Sequence, residues 1–244
     1  MSNSSLVTYT KLSPNHSGKR TRDICRITPH CVVGQFTAAG IAACFTSPAR
    51  QASCNYGIGK DGGVALIVPE DCRSWCSSSA INDQRAVTIE CASDTVHPYA
   101  FTNKVWNKLV ELCVDICRRN GKTKLIWIAD KNKALSYEPK SAEMILTVHR
   151  WFANKACPGD WLMSRMDQLA RLVTAELGGS IVPYRITVAT DRLVVRQKPR
   201  STSKKVMYIY RGGVFTIVAL SSNKKWGKLK SGAGWIALGY TRKV

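Results

Sequence analysis

His149, Lys155 and Cys157 lie in one short stretch, His149-Arg150-Trp151-Phe152-Ala153-Asn154-Lys155-Ala156-Cys157-Pro158-Gly159. Imidazole nitrogen and thiolate sulfur are donors that a borderline-soft divalent ion such as zinc takes readily. Proline at 158 disfavours the helical region for the residue before it, so Cys157 is expected to be extended. Side chains alternate along an extended segment, which puts Lys155 and Cys157 on one face. A metal held by Cys157 would then have an ammonium beside it, where an oxyanion could form. The spacing points to a hydrolytic zinc site rather than a structural one.

A catalytic zinc needs three protein ligands and one open position. The chain has four histidines, His16, His30, His97 and His149. His30 is the best placed to join His149, because it sits at the end of a predicted strand where the end of a neighbouring strand can converge with it. His16 lies in a polar N-terminal stretch, and His97 precedes Pro98 in an expected surface loop. By residue type alone, each histidine could equally be a satisfied or solvated side chain and Cys157 a buried thiol.

The elements that must position these groups are legible from periodicity. Residues 23–28 alternate apolar and polar side chains and read as a strand ending at Pro29-His30. An Ala-rich helix is expected over 37–45, capped by Thr37. Residues 55–59 and 64–68 flank a Gly-rich turn and read as a hairpin. Further strands are expected over 86–92, 124–128 and 144–148. Residues 102–120 form a strongly amphipathic pattern stopped by Gly121, and 160–177 reads as one helix stopped by Gly178-Gly179. Beyond a boundary at 178–183 no helical period survives. Short β-rich runs at 192–196, 206–210, 214–220, 226–230 and 235–238 suggest a small barrel of about five strands.

With 244 residues and 45% hydrophobic content, the chain can bury a core and is not expected to be disordered. No apolar run is long enough to span a bilayer, and Met1-Ser2-Asn3-Ser4-Ser5 lacks the regions of a signal peptide. Synthesis in the cytoplasm without a secretion signal is therefore expected, with the ten cysteines as reduced thiols. Cys113 and Cys117 fall on the apolar helical face and read as small core residues. Charge is lopsided: residues 184–244 hold 14 Lys and Arg against one acid, Asp191, whereas residues 1–183 hold 22 against 15. A small, very basic module implies an extended polyanionic partner, which nucleic acid, an anionic membrane and an anionic cell wall would all satisfy.

Several motifs recur in a familiar order: His30-Cys31 at a strand end, Asn55-Tyr56-Gly57-Ile58-Gly59 before a Lys-Asp-Gly turn, Val87-Thr88-Ile89-Glu90, and His149 followed by Lys155-Ala156-Cys157-Pro158. Together they resemble the zinc-dependent N-acetylmuramoyl-L-alanine amidases of the type 2 family, which share a fold with peptidoglycan-recognition proteins. Ser74-Trp75-Cys76-Ser77-Ser78-Ser79, Asn82-Asp83-Gln84-Arg85 and Thr147-Val148-His149-Arg150-Trp151-Phe152 resemble clostridial phage or prophage endolysins and autolysins. This likeness covers about residues 6–177. The tail, 184–244, resembles a bacterial SH3 (SH3b) cell-wall-binding domain through Leu193-Val194-Val195-Arg196, Lys198-Pro199, Arg211-Gly212-Gly213, Trp226-Gly227-Lys228 and Gly234-Trp235-Ile236.

The resemblance implies an α/β catalytic domain over 1–177, with a central mixed β-sheet flanked by helices, then a linker over 178–183 and a small all-β SH3-like barrel over 184–244. It implies Zn2+ as cofactor, held by His30, His149 and Cys157. It assigns Lys155 and Tyr56 to catalysis. In some relatives the acid matching Glu90 is an active-site carboxylate; at a strand interior Glu90 could equally be a structural ion-pair partner. Many relatives carry Trp-His where this chain has Trp75-Cys76, so these two are candidates for contacting substrate, or Cys76 simply packs. The implied reaction is hydrolysis of the amide between N-acetylmuramic acid and the L-alanine of the stem peptide. The implied partners are peptidoglycan and the teichoic acids of a Gram-positive wall, reached after holin-type release or lysis. A non-catalytic recognition module is the first alternative, against which Cys157 speaks. A nucleic-acid-binding protein is the second; the tail lacks a separable pattern of exposed aromatic and basic residues. Oligomeric state is not legible.

Overall fold

Apolar stretches in the first part of the chain assemble into one seven-stranded sheet. The protein is described here by a computed structural model covering residues 2–178, 182–221 and 223–244. It divides into two units, Met1–Gly179 and Ser180–Val244; of the linker expected over 178–183, residues 179–181 lie outside those described. Strands of the first unit are β1 (Tyr9–Thr10), β2 (His16–Lys19), β3 (Arg26–Cys31), β4 (Tyr56–Ile58), β5 (Val64–Leu66), β6 (Cys72–Ser74), β7 (Ala86–Cys91), β8 (Lys124–Ile126) and β9 (Glu143–Leu146). Helices are α1 (Ala38–Ala43), α2 (Ala80–Arg85), α3 (Asn103–Arg119), α4 (Lys131–Ser136), α5 (Asp160–Met163) and α6 (Met166–Glu176). The sheet runs β1-β5-β4-β7-β3-β9-β8 and is mixed: β4 and β5 pair antiparallel, and the other neighbours pair parallel. A separate antiparallel ribbon joins β2 to β6.

Central strands of such a sheet are covered on both faces, and every residue of β3 is buried, including Arg26, Thr28 and His30. Helix α3 forms because Thr102 caps it, accepting from the Val105 amide, and because Val105, Leu109, Leu112, Cys113, Ile116 and Cys117 recur on one face. All six are buried. Burying a large apolar side chain contributes about 1.5–3 kcal/mol, so this stripe holds α3 firmly on the sheet.

Two local expectations change. Strand β3 does not stop at Pro29-His30 but runs through Cys31. Pairing with β9 ends at Ile27, so Pro29 lies where that side of β3 needs no donor. The helix expected over 160–177 is two helices. Arg165 donates its amide to the Leu162 carbonyl in a tighter turn, and its guanidinium takes the Trp161 carbonyl at 3.0 Å.

The second unit contains β10 (Tyr184–Val188), β11 (Arg192–Arg196), β12 (Lys205–Tyr210), β13 (Val214–Leu220), β14 (Trp226–Leu229), β15 (Trp235–Ala237) and β16 (Thr241–Lys243), ordered β12-β11-β15-β14-β13-β10-β16. All of its pairings are antiparallel. Strands β10 and β16 have no counterpart among the five expected runs. Its core is Ile186, Val188, Leu193, Val195, Ile209, Ile217, Leu229 and Ile236. Among the described residues no helix is long and apolar enough to cross a membrane.

Candidate metal centre

Three adjacent parallel strands end together. Register places His30 of β3 beside Glu90 of β7, and just past the end of β9 the chain turns through a single 3-10 turn, His149–Trp151. In α/β sheets the crevice beyond the carboxyl ends of the strands is the usual ligand site. Here it is a cleft of about 990 Å³, lined among others by Cys31, Arg50, Arg73, Trp75, Cys76, Ser78, Glu90, His149, Lys155 and Cys157.

The cleft brings together the three ligands expected from sequence. Cys157 Sγ lies 3.2 Å from His30 Nδ1, and the rings of His30 and His149 meet edge-on with centroids 5.0 Å apart. Donor atoms of His30, His149 and Cys157 all lie within 4.8 Å of one another. A tetrahedral ion with bonds of about 2.0–2.3 Å sets its donors roughly 3.4–3.6 Å apart, so the set closes around such an ion with small shifts. The Cys157 loop is pinned for this purpose: the Arg150 amide donates to the Cys157 carbonyl, and the Arg150 side chain binds Asp160 and the Ala156 carbonyl.

Electrostatics agree with the donor set. Burial, then the neighbouring His149, hold the His30 imidazole well below its usual pKa; burial and the Lys155 charge lower that of His149. Both rings are therefore neutral at physiological pH, as metal ligation requires. Hydrogen bonding to Cys31, burial and the charge of Glu90 push the Cys157 thiol well above its ordinary range, an effect a bound cation reverses. Burial also raises Glu90 to about 7, against the pull of Arg50 and Cys76. Two buried polar atoms here, His30 Nε2 and Glu90 Oε2, have no hydrogen-bond partner among the described residues. Neutral imidazoles, a thiol and an orphaned carboxylate oxygen fit a borderline-soft divalent ion.

Lys155 and Trp75 line the same cleft, and the Trp75 indole is held by Ser17, to which it donates at 2.7 Å. Cys76 points inward, 3.9 Å from Glu90 Oε1. Tyr56 does not join them. Alternation along β4 sends its side chain to the face opposite that of Gly57, which is in register with Glu90. Its hydroxyl donates to Glu70 at 2.8 Å and accepts from the Ser4 amide at 2.9 Å. Glu70 in turn binds the Arg119 guanidinium at 2.9 and 2.7 Å. The expectation of a catalytic Tyr56 is therefore corrected: the phenol belongs to a buried network between the N-terminal segment and α3.

Sequence reasoning gave Ser78 and Asp83 no role at the site. Ser78 Oγ lies 3.0 Å from His149 Nε2, so this ring nitrogen is engaged from outside the trio; such outer partners orient metal-binding imidazoles. Asp83, on α2, accepts from the Cys76 and Ser77 amides and from the Ser77 hydroxyl. It thereby fixes the segment carrying Trp75, Cys76 and Ser78. Ser78 and Asp83 both fall inside motifs that carry the endolysin resemblance, and Ser79 beside them is a helix-cap residue type; Ser79 does cap α2.

Residues 20–160 match the N-acetylmuramoyl-L-alanine amidase family. Among solved structures, the chain is similar to a mutant endolysin from Bacillus subtilis, at 17% identity and a TM-score of 0.44, covering 71% of this chain and 99% of that one. It is also similar to the endolysin N-acetylmuramoyl-L-alanine amidase LysCS from Clostridium intestinale, at 13% identity and a TM-score of 0.43, covering 71% and 98%. A third is the hydrolase AmiA from Staphylococcus aureus in complex with its ligand, at 14% identity and a TM-score of 0.48, covering 69% and 82%. No curated protein matches the chain in sequence.

Proposed function

The chain belongs to the N-acetylmuramoyl-L-alanine amidase family, and from that premise we propose that it is a zinc-dependent peptidoglycan hydrolase of the endolysin or autolysin kind. It cleaves the amide between the lactyl group of N-acetylmuramic acid and the L-alanine of the stem peptide. The observation that carries this reading is the convergence of His30, His149 and Cys157 at the strand ends, with Lys155 on the wall of the same cleft.

Held by those three residues, zinc would supply Lewis acidity that polarises the scissile carbonyl and lowers the pKa of water to about 7. Lys155 directs its ammonium at the carbonyl oxygen as negative charge develops there, a contribution of about 3 kcal/mol. Glu90, on the cleft floor beside His30, takes a proton from the attacking water and returns it to the amine of the leaving L-alanine. Ser78 keeps the His149 ring in one orientation. The Trp75 indole offers a flat apolar wall for the sugar or the peptide.

The second unit holds the enzyme on the wall as an SH3b-like module. Its 14 basic residues against one acid suit the phosphate polyesters of teichoic acids. Digestion of purified walls is the test: new L-alanine amino termini and no new reducing sugars are expected. Reducing ends in their place would make the protein a glycosidase and overturn the proposal.

A further inference from the structure

The cleft holds a second trio of donors around the same histidine. Besides Cys157, Nδ1 of His30 faces Glu90 Oε1 at 3.9 Å, and that carboxylate oxygen lies 3.9 Å from Cys76 Sγ. Donor atoms of His30, Cys76 and Glu90 all fall within 4.8 Å of one another. We propose that these three residues form a second seat for a borderline-soft divalent cation, sharing Nδ1 of His30 with the seat made by His149 and Cys157. The inference rests on the reading of the cleft as a metal centre.

Three features support an ion here. Imidazole, thiolate and carboxylate are together a zinc-type donor set. The second carboxylate oxygen, Glu90 Oε2, is buried without a hydrogen-bond partner among the described residues, an expensive condition that a cation beside it relieves. The segment carrying Cys76 is held in place, since its amide and that of Ser77 both donate to Asp83 Oδ2, at 2.9 and 3.1 Å. Ligand charge favours this seat as well: a thiolate and a carboxylate neutralise a divalent ion fully, whereas two neutral imidazoles and one thiolate leave a net positive charge on the ion and its ligands. Ligation by Cys76 releases its thiol proton to solvent.

One imidazole nitrogen binds one ion, so the two seats exclude each other and the chain carries a single ion in either. With the ion in the second seat, Glu90 is a ligand and cannot carry protons. That form is a resting one, with the ion drawn away from Cys157.

Cobalt(II) distinguishes the seats, because each cysteine thiolate bound to it gives a near-ultraviolet charge-transfer band. The full-length chain, Cys157→Ser, Cys157→Ala and the double variant Cys76→Ser/Cys157→Ser are titrated with cobalt(II) alone. Circular dichroism of each metal-free protein checks its fold. Both Cys157 variants are expected to bind one cobalt, more weakly than the parent but with a thiolate band, and the double variant is expected to lose that band. Loss of the band in folded Cys157→Ser and Cys157→Ala, while the parent shows it, would overturn the second seat and leave the proposed metal centre intact. Survival of the band in the double variant would also overturn it, by assigning the thiolate to another cysteine. A parent chain that binds no cobalt would sink both readings.

Discussion

The sulfur of Cys157 and Nδ1 of His30 stand 3.2 Å apart although 127 positions separate them in the chain. The contact exists because β3, β7 and β9 run parallel and side by side. Their carboxyl ends, and the loops leaving them, therefore share one rim of the sheet. That rim gathers the two imidazoles and the thiol that could hold a metal ion.

His30→Ala removes the donor common to both proposed metal seats. Elemental analysis of the purified variant is expected to show almost no zinc, against one ion per chain in the parent. Chelation of the parent should abolish wall lysis, and added zinc should restore it. Full zinc retention by a folded His30→Ala protein would remove His30 from the centre.

Lys155→Ala leaves every proposed ligand in place. Zinc content should match the parent, while kcat on a soluble muramoyl-peptide falls by about 100- to 1,000-fold, the range for losing one donor to a developing oxyanion. KM should change little, since the ammonium acts on the transition state. An unchanged kcat would take the lysine out of the reaction.

Tyr56 and Glu70 provide the contrast. Tyr56→Phe deletes a hydroxyl that bridges Glu70 and the Ser4 amide, none of which lines the cleft, so kcat should stay near the parent value while stability falls by about 1–2 kcal/mol. Glu70→Ala leaves the half-buried Arg119 without its bidentate partner and should cost about 3–5 kcal/mol. Urea unfolding measures both, and a collapse of kcat in Tyr56→Phe at unchanged stability would reinstate the phenol at the reacting centre.

A chain ending at Gly178 retains the whole seven-stranded sheet and the cleft. It should keep its zinc and cleave a small soluble muramoyl-peptide at close to the full-length rate. Whole cells should be lysed much more slowly, because the catalytic unit loses its raised local concentration at the wall. Wall binding by residues 182–244 should weaken as salt rises, since the Debye length falls from about 10 Å at 0.1 M to about 3 Å at 1 M. Equal lysis by both forms would show that the second unit does not tether the enzyme.

Residue types and local periodicity by themselves determined much of this protein. The amphipathic face of α3, its Thr102 cap, the hairpin of β4 and β5, and the change from helical to β patterning beyond residue 178 are all local: each depends on side chains a few positions apart. Histidine, cysteine and lysine within one loop were likewise visible, and the order of the motifs pointed to His30 as their partner. Tertiary structure alone decided the faces. Tyr56 and Gly57 are neighbours, yet the period of two along a strand sends them to opposite sides of the sheet, and only the pairing of β4 with β7 tells which side holds the cleft. The same dependence hid the roles of Ser78 and Asp83, whose partners come from packing rather than spacing. It also hid the approach of Cys76 to Glu90, 14 positions away, because a donor becomes a ligand only where the fold brings others within about 4 Å of it.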